Sequence, residues 1–125
     1  MFTHVMVGAN DLEKSRIFYA AALGAIGYQP HHDGDRTFFS DGTTGFGVGR
    51  PADGGAACHA NGGTIGFKAK TTAEVDAFYA AGLANGGRCE GKPGVRENAP
   101  RKPYGAYLRD PDGNKICAYA PNPNA

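Results

Sequence analysis

Apolar residues recur at helical spacing in two stretches of the chain and alternate with other residue types around them. Ser15, Phe18, Tyr19, Ala22 and Leu23 stand at i, i+3, i+4, i+7 and i+8, and Val75, Phe78, Tyr79, Gly82 and Leu83 repeat that spacing. Each set predicts a helix with one buried stripe. Asp11 and Thr71 stand just before the two patterns as N-cap residues, and Thr71 with Glu74 forms a capping box. Ahead of each helix lies a short run, Phe2 to Gly8 and Gly63 to Ala69, in which Val5, Val7, Ile65 and Phe67 alternate with other types, the period of a strand. Further strands are predicted over Ala25 to Pro30, Arg36 to Ser40 and Thr44 to Gly49, and over Arg88 to Lys92, Pro103 to Arg109 and Lys115 to Ala120. The unit βαβββ therefore occurs twice.

The two units also match letter by letter. Phe18-Tyr19-Ala20-Ala21 returns sixty residues later as Phe78-Tyr79-Ala80-Ala81, with Leu23 on Leu83 and Gly27 on Gly87, as an internal repeat does. Module one spans 1–49, module two 63–125, and the Gly-rich linker 50–62 joins them into a single domain over 1–125. Asp110-Pro111-Asp112-Gly113-Asn114 has turn chemistry at every position and predicts a hairpin connection before the last strand. Gly91 to Lys102 predicts a long loop.

Composition narrows the partners. Thirteen Lys and Arg against twelve Asp and Glu give a net charge of +1, which provides no field for nucleic acid or an anionic membrane. The N-terminus has no basic segment followed by a long apolar run, so the expected location is the cytoplasm. Cys58, Cys89 and Cys117 are odd in number and lack C-x-x-C spacing, which disfavours a disulfide framework or a zinc knuckle. Gly42 to Gly49 has no Lys-Ser/Thr ending and no following helix, so it is not a phosphate loop. His31 and His32 are adjacent in a strand and point to opposite faces, which reads as an exposed strand end. Arg88, Lys92, Arg96, Arg101 and Lys102 face only Glu90 and Glu97 across one segment; this is a solvated loop, or an anion site if several of the cations converge.

Two βαβββ modules, a His early in the first strand and Asp-Pro-Asp-Gly-Asn before the last resemble the vicinal oxygen chelate superfamily, which includes glyoxalase I, fosfomycin and bleomycin resistance proteins and extradiol dioxygenases. The resemblance implies an α+β fold: two βαβββ modules form a curved mixed sheet around one cavity, with the helices on the outside. A homodimer is expected, because a cup built from two small modules leaves curved sheet edges and apolar helix surface that a second copy can cover, and the resemblance points the same way. In the family's metal enzymes a divalent ion is held by His or Gln in the first strand of each module and Glu in the last. His4 fits the first of these positions, but Thr64 falls on the second, Phe46 on the third (Gly45 or Gly47 if the register slips by one) and Cys117 on the fourth. No carboxylate stands in any of these registers.

One His and one Cys are a weak donor set for any ion, so the inherited metal centre is expected to be lost and no cofactor is expected. His4 then reads as a hydrogen-bonded residue lining a cavity wall, and Cys117 as a buried small hydrophobe. Tyr107 stands where extradiol dioxygenases carry a tyrosine beside the substrate; it either donates to a bound carbonyl or phenolate or fills the sheet. His59 is expected over the cavity mouth or solvated in the linker. The expected site is a small-molecule cup bounded by His4, Met6, Phe46, Thr64, Tyr107 and Cys117, with His59 near its mouth and no assigned catalytic residue. The function expected is that of a small-molecule binding protein, or an enzyme of unassigned reaction, with a degenerate metal site. The alternative is a metal-dependent glyoxalase-like lyase or dioxygenase with a non-standard ligand set, completed by His59, Cys117 or a partner subunit. The flexible linker favours pairing of the modules within one chain, although its length also permits exchange between chains.

Overall fold

The computed structural model describes residues 1–124; Ala125, the last residue of the expected second module, lies outside them. Module one consists of β1 (His4–Gly8), α1 (Leu12–Gly24), β2 (His31–Asp33), β3 (Arg36–Ser40) and β4 (Gly45–Gly49). Module two consists of β5 (Ile65–Lys68), α2 (Thr72–Ala84), β6 (Arg88–Val95), β7 (Tyr104–Arg109) and β8 (Lys115–Ala120). The sheets have the same topology, β1-β4-β3-β2 and β5-β8-β7-β6, with the first pair of each parallel and the others antiparallel. The protein is thus α+β, built from two βαβββ modules as the repeat predicts.

Both helices start as expected. Asp11 accepts a hydrogen bond from the Lys14 amide and Thr71 from the Glu74 amide, while Glu74 Oε1 accepts from the Lys70 amide at 2.6 Å. Their ends explain why Ala25 to Pro30 is not a strand. The Tyr28 amide donates to Leu23 O and the Gly27 amide to Gly24 O, with Gly27 at φ +94°, a Schellman closure that only a residue tolerant of positive φ permits. These amides cap α1, and the strand begins afterwards as the three exposed residues of β2. In α2 the same closure uses Gly86 at φ +99°, with the Gly87 amide donating to Gly82 O. Gly27 is therefore the structural counterpart of Gly86, and the repeat slips by one residue at this turn. The expected loop after Lys92 also shortens, because β6 continues to Val95 through two register shifts that accommodate Pro93.

One core holds the modules together. Val7 and Phe46 join the core from the first sheet and Phe67 and Ile116 from the second, and α1 packs against α2. Phe46 meets Tyr19 at 4.9 Å and Phe67 at 5.0 Å between ring centroids. Phe18 of α1 lies against Gly82 and Gly87, and a Cβ at Gly87 would collide with its ring. Each helix lies on the face of its own sheet opposite the face that carries His4 or Cys117.

Candidate functional site

The register of β1 on β4 fixes which residues face outward from the first module. His4 pairs with Gly45, Val5 with Phe46 and Met6 with Gly47, so His4 and Met6 share an outer face with two glycines. Phe38, opposite Gly47 on β3, completes that face, and a Cβ on Gly47 would come within 2.9 Å of its ring. His4 is exposed and its Nδ1 bonds to Thr3 Oγ1 at 2.9 Å; Met6 is 40% exposed. Phe46, expected in the cup, is on the other face. It shares the parity of Val5, and its ring is buried between Tyr19 and Phe67 because that is where apolar area is removed from water.

The second module presents a cross-strand row made of Gly66, Cys117, Tyr107 and Gly91 on four adjacent strands. Thr64 lies one residue before β5, exposed, with the parity of Gly66. Cys117 is buried, and burial pushes its thiol up from 9.0 to about 11. Tyr107 and Tyr119 share a hydrogen bond between their hydroxyls and meet edge to face at 5.9 Å. Burial first, and that hydrogen bond second, raise the Tyr107 phenol above its ordinary value. Two cations lie on the Tyr107 ring, with Arg96 Cζ 5.2 Å and Lys115 Nζ 5.0 Å from its centroid. Lys115 and Tyr119 were not singled out from the sequence, although counting by twos from Cys117 along β8 reaches both.

His59 is elsewhere. It is exposed and lies over the last hairpin, where a Cβ on Gly113 would stand 2.8 Å from its Nδ1. The linker is fastened there because Asn10 accepts from the Ala57 amide at 2.7 Å and donates to Ala57 O. His32 is exposed at the sheet margin, with its Nδ1 bonded to Thr37 Oγ1.

The two outer faces do not meet within one chain. The inner faces, with Val5, Phe39 and Phe46 on one side and Ile65 and Phe67 on the other, converge on the core and line a cleft of about 310 Å³. The faces bearing His4 and Cys117 therefore turn away from each other, and the expected single-chain cup does not form from these residues.

A divalent ion requires three or four convergent donors, with any thiol deprotonated. Among the described residues no three of His, Cys, Asp and Glu cluster in this way. Gly45 and Gly47 occupy the His4 face where the family places a carboxylate, and Cys117 is held as the neutral thiol. The residues present do not fit the family's metal.

Paired βαβββ modules with a half-cup on each sheet define a class, and the sequence comparison agrees with it. The family model of the Glyoxalase/Bleomycin resistance protein/Dioxygenase superfamily matches residues 1–118, and the chain belongs to that family. Among solved structures, a glyoxalase/bleomycin resistance protein from Albidiferax ferrireducens is 49% identical, with a TM-score of 0.89 over 98% of this chain and 99% of that one. A glyoxalase-related enzyme from Fulvimarina pelagi is 20% identical at TM-score 0.75, over 98% and 88% of the two chains. A fosfomycin resistance protein from Mesorhizobium loti is 16% identical at 0.66, over 99% and 94%. These last two share the fold. No curated protein matches the sequence.

Proposed function

We propose that the protein binds a small organic molecule in a cup assembled by a homodimer, without the family's divalent ion. In each cup the His4 and Met6 face of one copy stands against the Cys117 and Tyr107 face of the other. One observation carries this reading: each chain presents two half-cup faces that point away from each other. An outer face with a 40%-exposed methionine beside a glycine floor is the kind of surface that a second copy covers. Two copies arranged with two-fold symmetry supply both halves of two cups. The linker is fastened to module one through Asn10, and the modules of one chain meet through their inner faces at Phe46 and Phe67, so exchange between chains is the pairing that the packing supports. Exchange is thus proposed in place of the within-chain pairing that linker flexibility favours.

The test combines light scattering with native mass spectrometry. A mass of twice 13.0 kDa, with a non-covalent ligand lost on Met6→Asp together with the dimer, supports the reading. A mass of one chain across the micromolar range overturns it.

A further inference from the structure

We propose that the ligand of this cup is a small organic carboxylate, its charged end held by Arg96 and Lys115 beside the Tyr107 and Tyr119 hydroxyls. The proposal rests on the dimeric cup described above and names the chemical class that the cup takes.

Arg96 is built into the face. Its side chain returns from the end of the second module's β6 across Gly91, where a Cβ would stand 3.2 Å from Nη2, so any larger residue at 91 would crowd this path. Nη2 donates to Lys92 O at 2.5 Å, and the backbone amide donates to Pro103 O at 2.8 Å. Nε is buried and has no partner among the described residues. A buried cationic donor without an acceptor is destabilising, and it points to an acceptor supplied from outside.

Positive charge is in excess on the face as well, where Arg96, Arg109 and Lys115 stand with one carboxylate, Glu90, whose charge reaches both Arg109 and Lys115. Arg109, on the same side of the sheet, is paired with Glu90 at 3.0 Å. Among the described residues neither Arg96 nor Lys115 has a carboxylate within 4.0 Å, yet both sit about the ring of Tyr107. The π face attracts each cation, but it supplies no negative charge for two of them. Covering this face with a second copy would desolvate both cations, and a neutral ligand would leave them unpaired. A carboxylate answers both needs, because its planar oxygens match the guanidinium and accept charge-assisted hydrogen bonds.

The hydroxyl count agrees. Two phenols joined by one hydrogen bond use one O–H and leave the other free to donate. Gly66, at the β5 end of the row through Cys117 and Tyr107, is exposed and adds no side chain to the face. The organic body of the ligand then lies toward Met6 and Phe38 of the partner copy's face.

Benzoate and its neutral analogue benzyl alcohol, titrated into the intact protein and followed by amide chemical shifts, test the assignment. Benzoate is expected to bind at least about tenfold more tightly, a preference abolished by Arg96→Met and by Lys115→Met. Arg96→Lys retains part of the preference and controls for folding, which a thermal melt of each variant verifies. Equal affinity for the two probes, or a preference that survives both Met variants, overturns the carboxylate assignment and leaves the cup intact. Binding of neither probe overturns the carboxylate assignment; if the protein is also monomeric, the cup falls with it.

Discussion

The phenol of Tyr19 donates a hydrogen bond to Asp110 Oδ2 at 2.6 Å, joining the first helix to the last hairpin across ninety-one residues. Both groups are buried, and burial followed by the charge of Asp110 raises the Tyr19 phenol well above its ordinary value. The same carboxylate accepts from the amides of Asp112 and Asn114 and from Asn114 Nδ2. Asp112 in turn accepts from the Asn10 amide and Ser15 Oγ. The Asp-Pro-Asp-Gly-Asn turn is therefore also a clasp between modules, and it helps to hold the two half-cups outward.

Removing that phenol leaves the buried carboxylate short of one donor. Tyr19→Phe is expected to destabilise the protein by about 1–3 kcal/mol, and Ser15→Ala, whose bond is longer at 3.3 Å, by less. Chemical denaturation of the two variants and the wild type measures the difference.

Two helical glycines should respond oppositely to alanine. A Cβ at Gly24 meets nothing within 4 Å, so Gly24→Ala gains helix propensity, up to about 1 kcal/mol. At Gly82 the Cβ would run into Leu108, which is fully buried and cannot give way. Overpacking of about 1–3 kcal/mol then exceeds the propensity gain, and Gly82→Ala is expected to lower the melting temperature that Gly24→Ala raises.

Cys117 should be the slow thiol. With its pKa at about 11 it carries little thiolate at pH 8, while Cys58 and Cys89 are exposed, so alkylation followed by peptide mapping should label those two first. Because the folded value is raised, the stability linked to this group is complete below the ordinary value of 9.0 and declines as pH rises toward about 11. Cys117→Ala should flatten the fall of stability with pH across that interval.

The helices and the paired modules were legible because their signals are local: an apolar stripe with caps, repeated. β2 is legible only as the exposed strand end at His31 and His32, since its three residues are all exposed and carry no alternation that would separate it from Ala25 to Pro30. For Phe46 the signal was present but overridden. Gly-Phe-Gly-Val-Gly puts Phe46 and Val48 on one face and glycines on the other, and apolar side chains take the core; the family register, which sets Phe46 at a ligand position, points the other way. The orientation of the modules depends on contacts such as Tyr19 with Asp110, far apart in sequence, and no local pattern encodes them. Arg96 read as a loop cation because the bulges that carry β6 past Gly91 come from pairing with β7.

Elemental analysis of untagged protein should find far less than one zinc, nickel, manganese or iron per chain, since His4 and a neutral Cys117 are too few donors. Isomerisation of glutathione hemithioacetal, which depends on a metal to hold the enediolate charge, should stay at background. Near one ion per chain that disappears in His4→Ala would revive the metal-dependent alternative.

The cross-chain cup is tested most directly by paramagnetic relaxation between copies. A spin label is placed at position 6 through Met6→Cys in a background of Cys58→Ser and Cys89→Ser, where the buried Cys117 thiol does not react. This chain is unfolded, mixed with isotope-labelled wild type and refolded together with it. The account predicts broadening of the Tyr107 and Cys117 amides of the labelled copy; mixed dimers in which these amides stay sharp would contradict it.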